Sequence, residues 1–313
     1  MRGLACRIFL LLLICAFPQF ADDKKVDPKS EALTLQKPMA VDVSMVLVNA
    51  TVYDSMNRFV TGLEKENFSV YEDKIAQAIV HFSSQDMPIS IGVIFDTSGS
   101  MTSKIEKSRE ACIQFMKLAN PQDEFFMVGF NDRVRLEQDF TSKVDDISQR
   151  VIFDHAQGQT ALLDAIYYGI EKVEQGHYPR KALLIISDGG DNHSRYSERD
   201  VREFIKESDA QIFAIGIYNP YADAPEEKRG PSLLGDLAEM TGGRAYTLNS
   251  LNDLEDIVTK IAIELRSEYV LGYVSSNEQH DGRWRKIKVK LNPPRGLPPL
   301  LVNSKSGYYA PSN

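Results

Sequence analysis

The sequence predicts an α/β fold: a doubly wound, mostly parallel sheet inserted into a small β domain built from the N- and C-terminal segments. Three observations carry this expectation. Ile89-Ser-Ile-Gly-Val-Ile-Phe95, Ala182-Leu-Leu-Ile-Ile186 and Ile212-Phe-Ala-Ile-Gly-Ile217 are continuous apolar runs, the pattern of strands buried on both faces. Stretches with helical spacing separate them. On either side of this region the pattern switches to period-two alternation, the mark of strands with one face in water.

In chain order, Arg2 and Arg7 precede the apolar run Ile8–Phe17. A cationic start followed by about ten apolar residues has the form of a secretory signal peptide, and is too short to span a bilayer, which takes roughly 20. Residues 1–21 are therefore expected to be a leader, with cleavage after Ala21, and the mature chain to be secreted or periplasmic without a transmembrane segment. Residues 22–40 are polar and proline-punctuated, which suggests a linker. Residues 41–86 form the first β segment: Val41, Val43, Met45 and Leu47 alternate with polar residues, and Phe68–Asp73 and Ala78–Phe82 are further short runs.

The α/β region covers residues 87–266. After the first buried strand, Ile105, Cys112, Phe115, Met116 and Ala119 mark one helix face. Phe125–Phe130 and Val134–Phe140 are strand candidates, and a helix is expected from near Thr160. Helices around Val201–Ile205 and Leu233–Met240 follow the second and third buried strands. Ala245–Leu248 is a short strand, and Leu251, Leu254, Ile257, Val258, Ile261 and Leu265 form a last helical stripe. Alternating buried strands and helices imply a parallel sheet covered on both faces. Residues 267–313 return to β: Tyr269–Tyr273, an Asp281-Gly282 turn, then Ile287, Val289 and Leu291 alternating with Lys286, Lys288 and Lys290. That lysine face reads as a solvated strand guarding a sheet edge. Neither β segment can bury a core alone, so the two are expected to form one domain.

Composition narrows the function. The chain of 313 residues carries 36 basic and 44 acidic side chains, a net charge of −8, with 19 glycines, 14 prolines and three cysteines. These counts exclude collagen-like, low-complexity and disulfide-scaffold proteins, and the acidic balance argues against nucleic acid as a partner. Loss of residues 1–21 removes Arg2 and Arg7, taking the charge to −10, and leaves Cys112 as the only cysteine, placed on an apolar helix stripe.

The chemistry concentrates where buried strands end. Phe95-Asp96-Thr97-Ser98-Gly99-Ser100-Met101 places Asp-x-Ser-x-Ser at a strand-to-helix turn; Gly158-Gln-Thr160 enters a helix; Ser187-Asp188-Gly189-Gly190-Asp191-Asn192 follows the second long strand. Ligand sites of open α/β sheets lie beyond the carboxyl ends of the strands. Asp96, Ser98, Ser100, Thr160 and Asp188 can therefore converge there as two carboxylates and three hydroxyls. All are hard oxygen donors, with no cysteine or histidine at ligand spacing, so Mg²⁺, or Ca²⁺ or Mn²⁺, is favoured over Zn²⁺. Mg²⁺ keeps exchangeable water, which leaves a position for an Asp or Glu of a protein partner.

These residues, with Met101 and Ala161-Leu162-x-Asp164-Ala165-Ile166, resemble a von Willebrand factor type A domain with a metal-ion-dependent adhesion site. The flanking Phe68–Asp73 and Tyr269–Tyr273 pieces make the layout similar to an acidobacterial-type family of secreted proteins with such a domain. The resemblance implies a Rossmann-like fold, hydroxyls as direct metal ligands, aspartates acting partly through water, and binding rather than catalysis. Thr97, Gly99, Met101, Gln159, Gly189, Asp191 and Tyr221 are candidates for the ligand rim. The stretch Asn219–Gly230 is expected as a long loop on the same edge.

Other readings use the same residues. Asp96 and Ser100 are favoured cap types and could merely start the following helix. Asp96 could serve a metal- or Asp-dependent hydrolase, although no second Asp-Thr-Gly, no aspartyl-phosphate signature and no Gly-x-Ser-x-Gly elbow accompanies it. His155 and His193 lie near enough in sequence to matter, and read as surface residues. A structural envelope module with a loop-bracing metal is the third reading.

Overall fold

The structure is a computed structural model that describes residues 45–151, 156–218, 225–248 and 250–312. Residues 1–44, which include the expected leader and linker and Val41 and Val43 of the first expected β run, lie outside the described residues, as do His155 and Tyr221. A six-stranded sheet forms the centre. Its strands are β5 (Ile89–Asp96), β6 (Glu124–Phe130), β7 (Val134–Thr141), β8 (Arg180–Ser187), β9 (Gln211–Gly216) and β10 (Ala245–Thr247), in the spatial order β10-β9-β8-β5-β6-β7. Every neighbouring pair is parallel except β6 with β7, which is antiparallel at one edge. All eight residues of β5 are buried, as its continuous apolar run requires.

Among the described residues, six helices cover the two faces: α1 (Ile105–Leu118), α2 (Val144–Val151), α3 (Leu162–Val173), α4 (Glu198–Glu207), α5 (Pro225–Thr241) and α6 (Leu254–Arg266). Alternate residues of β5 feed opposite cores. Ile91, Val93 and Phe95 pack with Phe115 of α1 and Val258 and Ile261 of α6. Ile94 packs on the other side with Phe126, Ile166 of α3 and Leu237 of α5. The doubly wound arrangement follows the strand–helix alternation of the sequence. Two details depart from expectation. The eight-residue α2 was absent from the pattern, because only Val144, Ile147 and Val151 in it are apolar. Residues 225–230, expected in a loop, are the first turns of α5, whose remaining apolar residues begin only at Leu233.

The flanking segments form two further sheets. One has the order β13-β1-β11-β4, made from β1 (Met45–Asp54), β4 (Ile79–Ser83), β11 (Tyr269–Val274) and β13 (Leu300–Ser304); the other has the order β14-β12-β2-β3, made from β2 (Phe68–Glu72), β3 (Ile75–Gln77), β12 (Trp284–Leu291) and β14 (Gly307–Tyr309). Strands from both ends of the chain pair in each, for example β1 with β11 and β2 with β12. Val48, Val52, Phe68, Val70, Tyr269, Leu271, Tyr273, Ile287 and Val289 share one core. The lysine face guards a sheet edge over part of its length only. β12 pairs with β14 over residues 284–286 and with β2 over residues 287–291; Ile287 and Val289 face the core and Lys286, Lys288 and Lys290 the outer side, Lys286 in the stretch paired with β14 and Lys288 and Lys290 where β2 alone pairs with the strand. Lys290 lies over the Tyr71 ring, 4.6 Å from its centroid.

Candidate functional site

The site is built where β5, β6 and β8 end. β5 terminates in Asp96, which is fully buried. Its Oδ1 accepts from the Ser98 N–H at 2.8 Å and its Oδ2 from the Ser187 hydroxyl at 2.6 Å. The first bond folds the chain back at once, so that Ser98 and Ser100 stand on the same turn with their Oγ atoms 3.1 Å apart. Ser187 also accepts from the Gly189 N–H at 3.0 Å, which ties the end of β8 to that of β5. Neither Asp96 nor Ser100 caps α1: the residue at its N-terminal boundary is Lys104, which makes no side-chain cap bond. The capping reading therefore fails, because the Asp96 carboxylate is spent on the turn and on Ser187 instead.

Backbone hydrogen bonds bring the second loop in. Gln157 N–H donates to Thr97 O at 2.9 Å and Gly99 N–H to Gly158 O at 3.1 Å, so the loop leading to Thr160 runs alongside the Asp96–Ser100 turn. Thr160 is itself clamped to the third loop. Its N–H donates to Asn192 Oδ1 at 2.9 Å, and its carbonyl accepts from Asn192 N–H at 3.0 Å. Asp164 at the start of α3 accepts from the Arg195 and Tyr196 N–H groups at 2.8 and 3.0 Å, fixing the far end of that loop.

Asp188 stands one residue beyond β8 and is 3% exposed. Its Oδ2 receives the Lys104 ammonium at 3.1 Å, while its Oδ1 is buried and has no hydrogen-bond partner. Burial, and next the negative charge of Asp188, push the Asp96 carboxyl up to about 6. Two buried carboxylates and an unpartnered oxygen leave negative charge for which the protein supplies one lysine. A hard divalent cation fits that donor set, with the Ser98, Ser100 and Thr160 hydroxyls as neutral ligands. Among the described residues no group of three or more histidine, cysteine or carboxylate side chains could hold a metal, so the fit rests on the hydroxyls as much as on charge.

A model of the von Willebrand factor type A domain matches residues 90–260. The chain belongs to that family. Type A domains commonly bind a divalent metal at the adhesion site described above, and are often involved in protein–protein binding and adhesion. The chain is 24% identical over 253 residues to inter-alpha-trypsin inhibitor heavy chain H4 of Sus scrofa, an alignment that spans 73% of this chain but only 26% of that protein. Among solved structures it is similar to a von Willebrand factor type A protein from Catenulispora acidiphila, with a TM-score of 0.50, 11% identity and coverage of 85% of this chain and 72% of that one. Proximal thread matrix protein 1 of the mussel byssus superposes with a TM-score of 0.51 at 17% identity, over 62% of this chain and 51% of that one. At these identities the structures establish the fold alone.

The rim candidates of the type A domain separate by exposure. Gly99 and Gln159 are exposed and Asp191 is half-buried, whereas Thr97, Met101 and Gly189 are buried. Thr97 cannot serve a rim because its hydroxyl donates to Phe130 O at 2.9 Å, and Met101 points into the core beneath α1. Asp191 is engaged at home, accepting from the Leu163 N–H at 3.2 Å and from the Ser194 hydroxyl. Burial holds its carboxyl above the usual range. His193 is exposed. Sequence reasoning missed Ser187 and Lys104. The first was legible as a hydroxyl next to Asp188. The second had only a local hint, a cation three residues past Met101, since its partner lies 84 residues away.

Proposed function

We propose that this is an exported binding protein whose type A domain takes up Mg²⁺, or a similar divalent cation, at Asp96, Ser98, Ser100, Thr160 and Asp188, and through it binds an Asp or Glu carboxylate of a protein partner. The buried, unpartnered Oδ1 of Asp188 beside the buried Asp96 carries the proposal. A bound cation would supply Lewis acidity at a water-accessible position, and Ser100, Gly99 and Gln159 are the exposed residues around it. The chain's own groups do the rest. Asp96 organises the turn, Ser187 couples the two carboxylate loops, and Asn192 and Asp164 hold the third loop in register. Binding rather than turnover is favoured because the Ser98 and Ser100 hydroxyls meet each other and not a general base. Export rests on the leader-like residues 1–21. No helix among the described residues is long and apolar enough to cross a membrane.

The test is calorimetric titration of Mg²⁺ into wild type and Asp96→Ala, with circular dichroism to confirm that both are folded. A fluorescent peptide bearing one aspartate then serves as the carboxylate probe, in Mg²⁺ and in EDTA. Saturable Mg²⁺ binding by wild type alone, with peptide binding only in Mg²⁺, is expected. Equal Mg²⁺ binding by both proteins would sink the proposal.

A further inference from the structure

Lys104 is a poor residue for its position by every local criterion. It occupies the N-terminal boundary of α1, where Ser, Thr, Asp and Asn are favoured because their oxygens accept from free N–H groups, and where the helix dipole opposes a positive charge. Its backbone is fixed there: its N–H donates to Met101 O at 2.8 Å and its carbonyl accepts from the Ser108 N–H and hydroxyl, both at 3.0 Å. Its side chain is only 14% exposed, an uncommon burial for a lysine. What compensates is one contact, the 3.1 Å ion pair to Asp188 Oδ2. That pairing divides the Asp188 carboxylate, with one oxygen on the ammonium and the other free of any partner.

We propose that Lys104 is the internal counter-ion of the cation site: it holds Asp188 by one oxygen, competes with the divalent ion for that carboxylate, and gives the loaded site a net positive charge. The inference rests on the cation reading above and adds the role of this residue. The charge arithmetic decides the chemistry. Asp96 and Asp188 alone would neutralise a divalent cation and leave nothing to attract an anion. With Lys104 the same set sums to one positive charge, in surroundings dry enough for it to count. An acidic chain that recognises a carboxylate needs such a local excess. Lys104 therefore trades cation affinity for affinity toward the anionic partner, and is a positioning residue rather than a ligand.

Lys104→Gln keeps a hydrogen-bond donor and removes the charge; Lys104→Arg keeps the charge. In calorimetry Lys104→Gln is expected to bind Mg²⁺ on the order of tenfold more tightly than wild type, ~1.4 kcal/mol, and the aspartate peptide more weakly once loaded. Its thermal midpoint is expected to fall below wild type in EDTA, where two buried carboxylates lose their counter-ion, and to return towards wild type in saturating Mg²⁺. Lys104→Arg should follow wild type. A merely structural salt bridge would lower the midpoint equally in both conditions, and that result, or unchanged Mg²⁺ affinity in a folded Lys104→Gln, would overturn the counter-ion role. Absence of Mg²⁺ binding by wild type and variant alike would instead overturn the cation reading on which it rests.

Discussion

The loop that carries Asp188 is held in place by two glycines in backbone contact. Gly189 has φ +78°, and a Cβ built on it would lie 2.7 Å from Gly230 Cα and 2.8 Å from the Tyr218 ring. From the other side, a Cβ on Gly230 would lie 2.8 Å from Gly189 Cα, C and O. Neither contact can relax by turning a side chain, since what each glycine meets on the other, in α5 or in the loop after β8, is backbone. Gly189→Ala therefore combines two costs: about 1–2 kcal/mol for a left-handed non-glycine residue and about 1–3 kcal/mol for overpacking. Gly230→Ala incurs only the second, because its φ is not in the left-handed region, and as a residue of α5 it regains about 1 kcal/mol of helix propensity. Urea denaturation should thus rank wild type, Gly230→Ala and Gly189→Ala in falling stability, with losses of roughly 0–2 and 2–5 kcal/mol. Because the Gly189 loop follows directly on Asp188, Gly230→Ala, which alters none of the five candidate ligands, should also weaken Mg²⁺ binding several-fold. A Gly230→Ala protein more stable than wild type by about 1 kcal/mol, the full gain in helix propensity, would refute the close approach. Equal losses for the two variants would refute the conformational share assigned to Gly189.

Two further outcomes follow from buried groups elsewhere. Glu268, 3% exposed, accepts from Arg180 Nη2 at 2.6 Å and Gln211 Nε2 at 2.8 Å, while burial raises its carboxyl and Arg180 opposes the rise. Glu268→Ala leaves Arg180 buried without its carboxylate and should cost about 3–5 kcal/mol in urea denaturation; a loss below about 1 kcal/mol would mean that water reaches the pair. Burial pushes the Cys112 thiol up to about 12, so at pH 8 only about one molecule in 10⁴ carries the reactive thiolate. Iodoacetamide should label it only as fast as the protein unfolds, with reactivity rising as pH approaches 12. Rapid labelling of the native protein at pH 8 would contradict the burial of that helix stripe.

The parts of the fold legible in the sequence are those whose signal is local. β5, β8 and β9 declared themselves because a strand covered on both faces has no need of polar residues, and the turns after β5 and β8 placed Asp96, Ser98, Ser100 and Asp188 at one edge by the geometry of parallel strands alone. What escaped depends on distant partners. The alternation of Lys286, Lys288 and Lys290 specified a strand and its outward face, but whether that strand lies inside a sheet is decided by β14 and β2, the latter more than 200 residues away. β3 and β14 are three residues each, too short to show a period. Lys104 gave no signal of its ion pair in the sequence because the carboxylate that draws it inward follows another strand, 84 residues away.

β8 joins these observations mechanically. Its first residue, Arg180, is bound to Glu268 at the entrance of β11, and its last, Ser187, donates to Asp96 and precedes Asp188. Eight residues of extended chain, about 25 Å, thus run from a buried ion pair at the flanking sheets to the carboxylates of the site, with β5 and β9 hydrogen-bonded on either side. A strand held at both ends and along both edges cannot adjust Asp188 to suit a ligand. The two carboxylates also differ in freedom: both oxygens of Asp96 are engaged by Ser98 and Ser187, whereas Asp188 keeps one free. Asp96 therefore fixes the geometry and Asp188 supplies the uncommitted charge. On the proposed reading, adaptation to a partner is left to exposed residues on the turns, Gly99, Ser100 and Gln159, and to the charge assigned to Lys104. If the proposed carboxylate recognition holds, substitutions at Gln159 should change the relative affinities for aspartate and glutamate peptides while the Mg²⁺ affinity stays that of wild type; a shift in Mg²⁺ affinity instead would place Gln159 in the metal site.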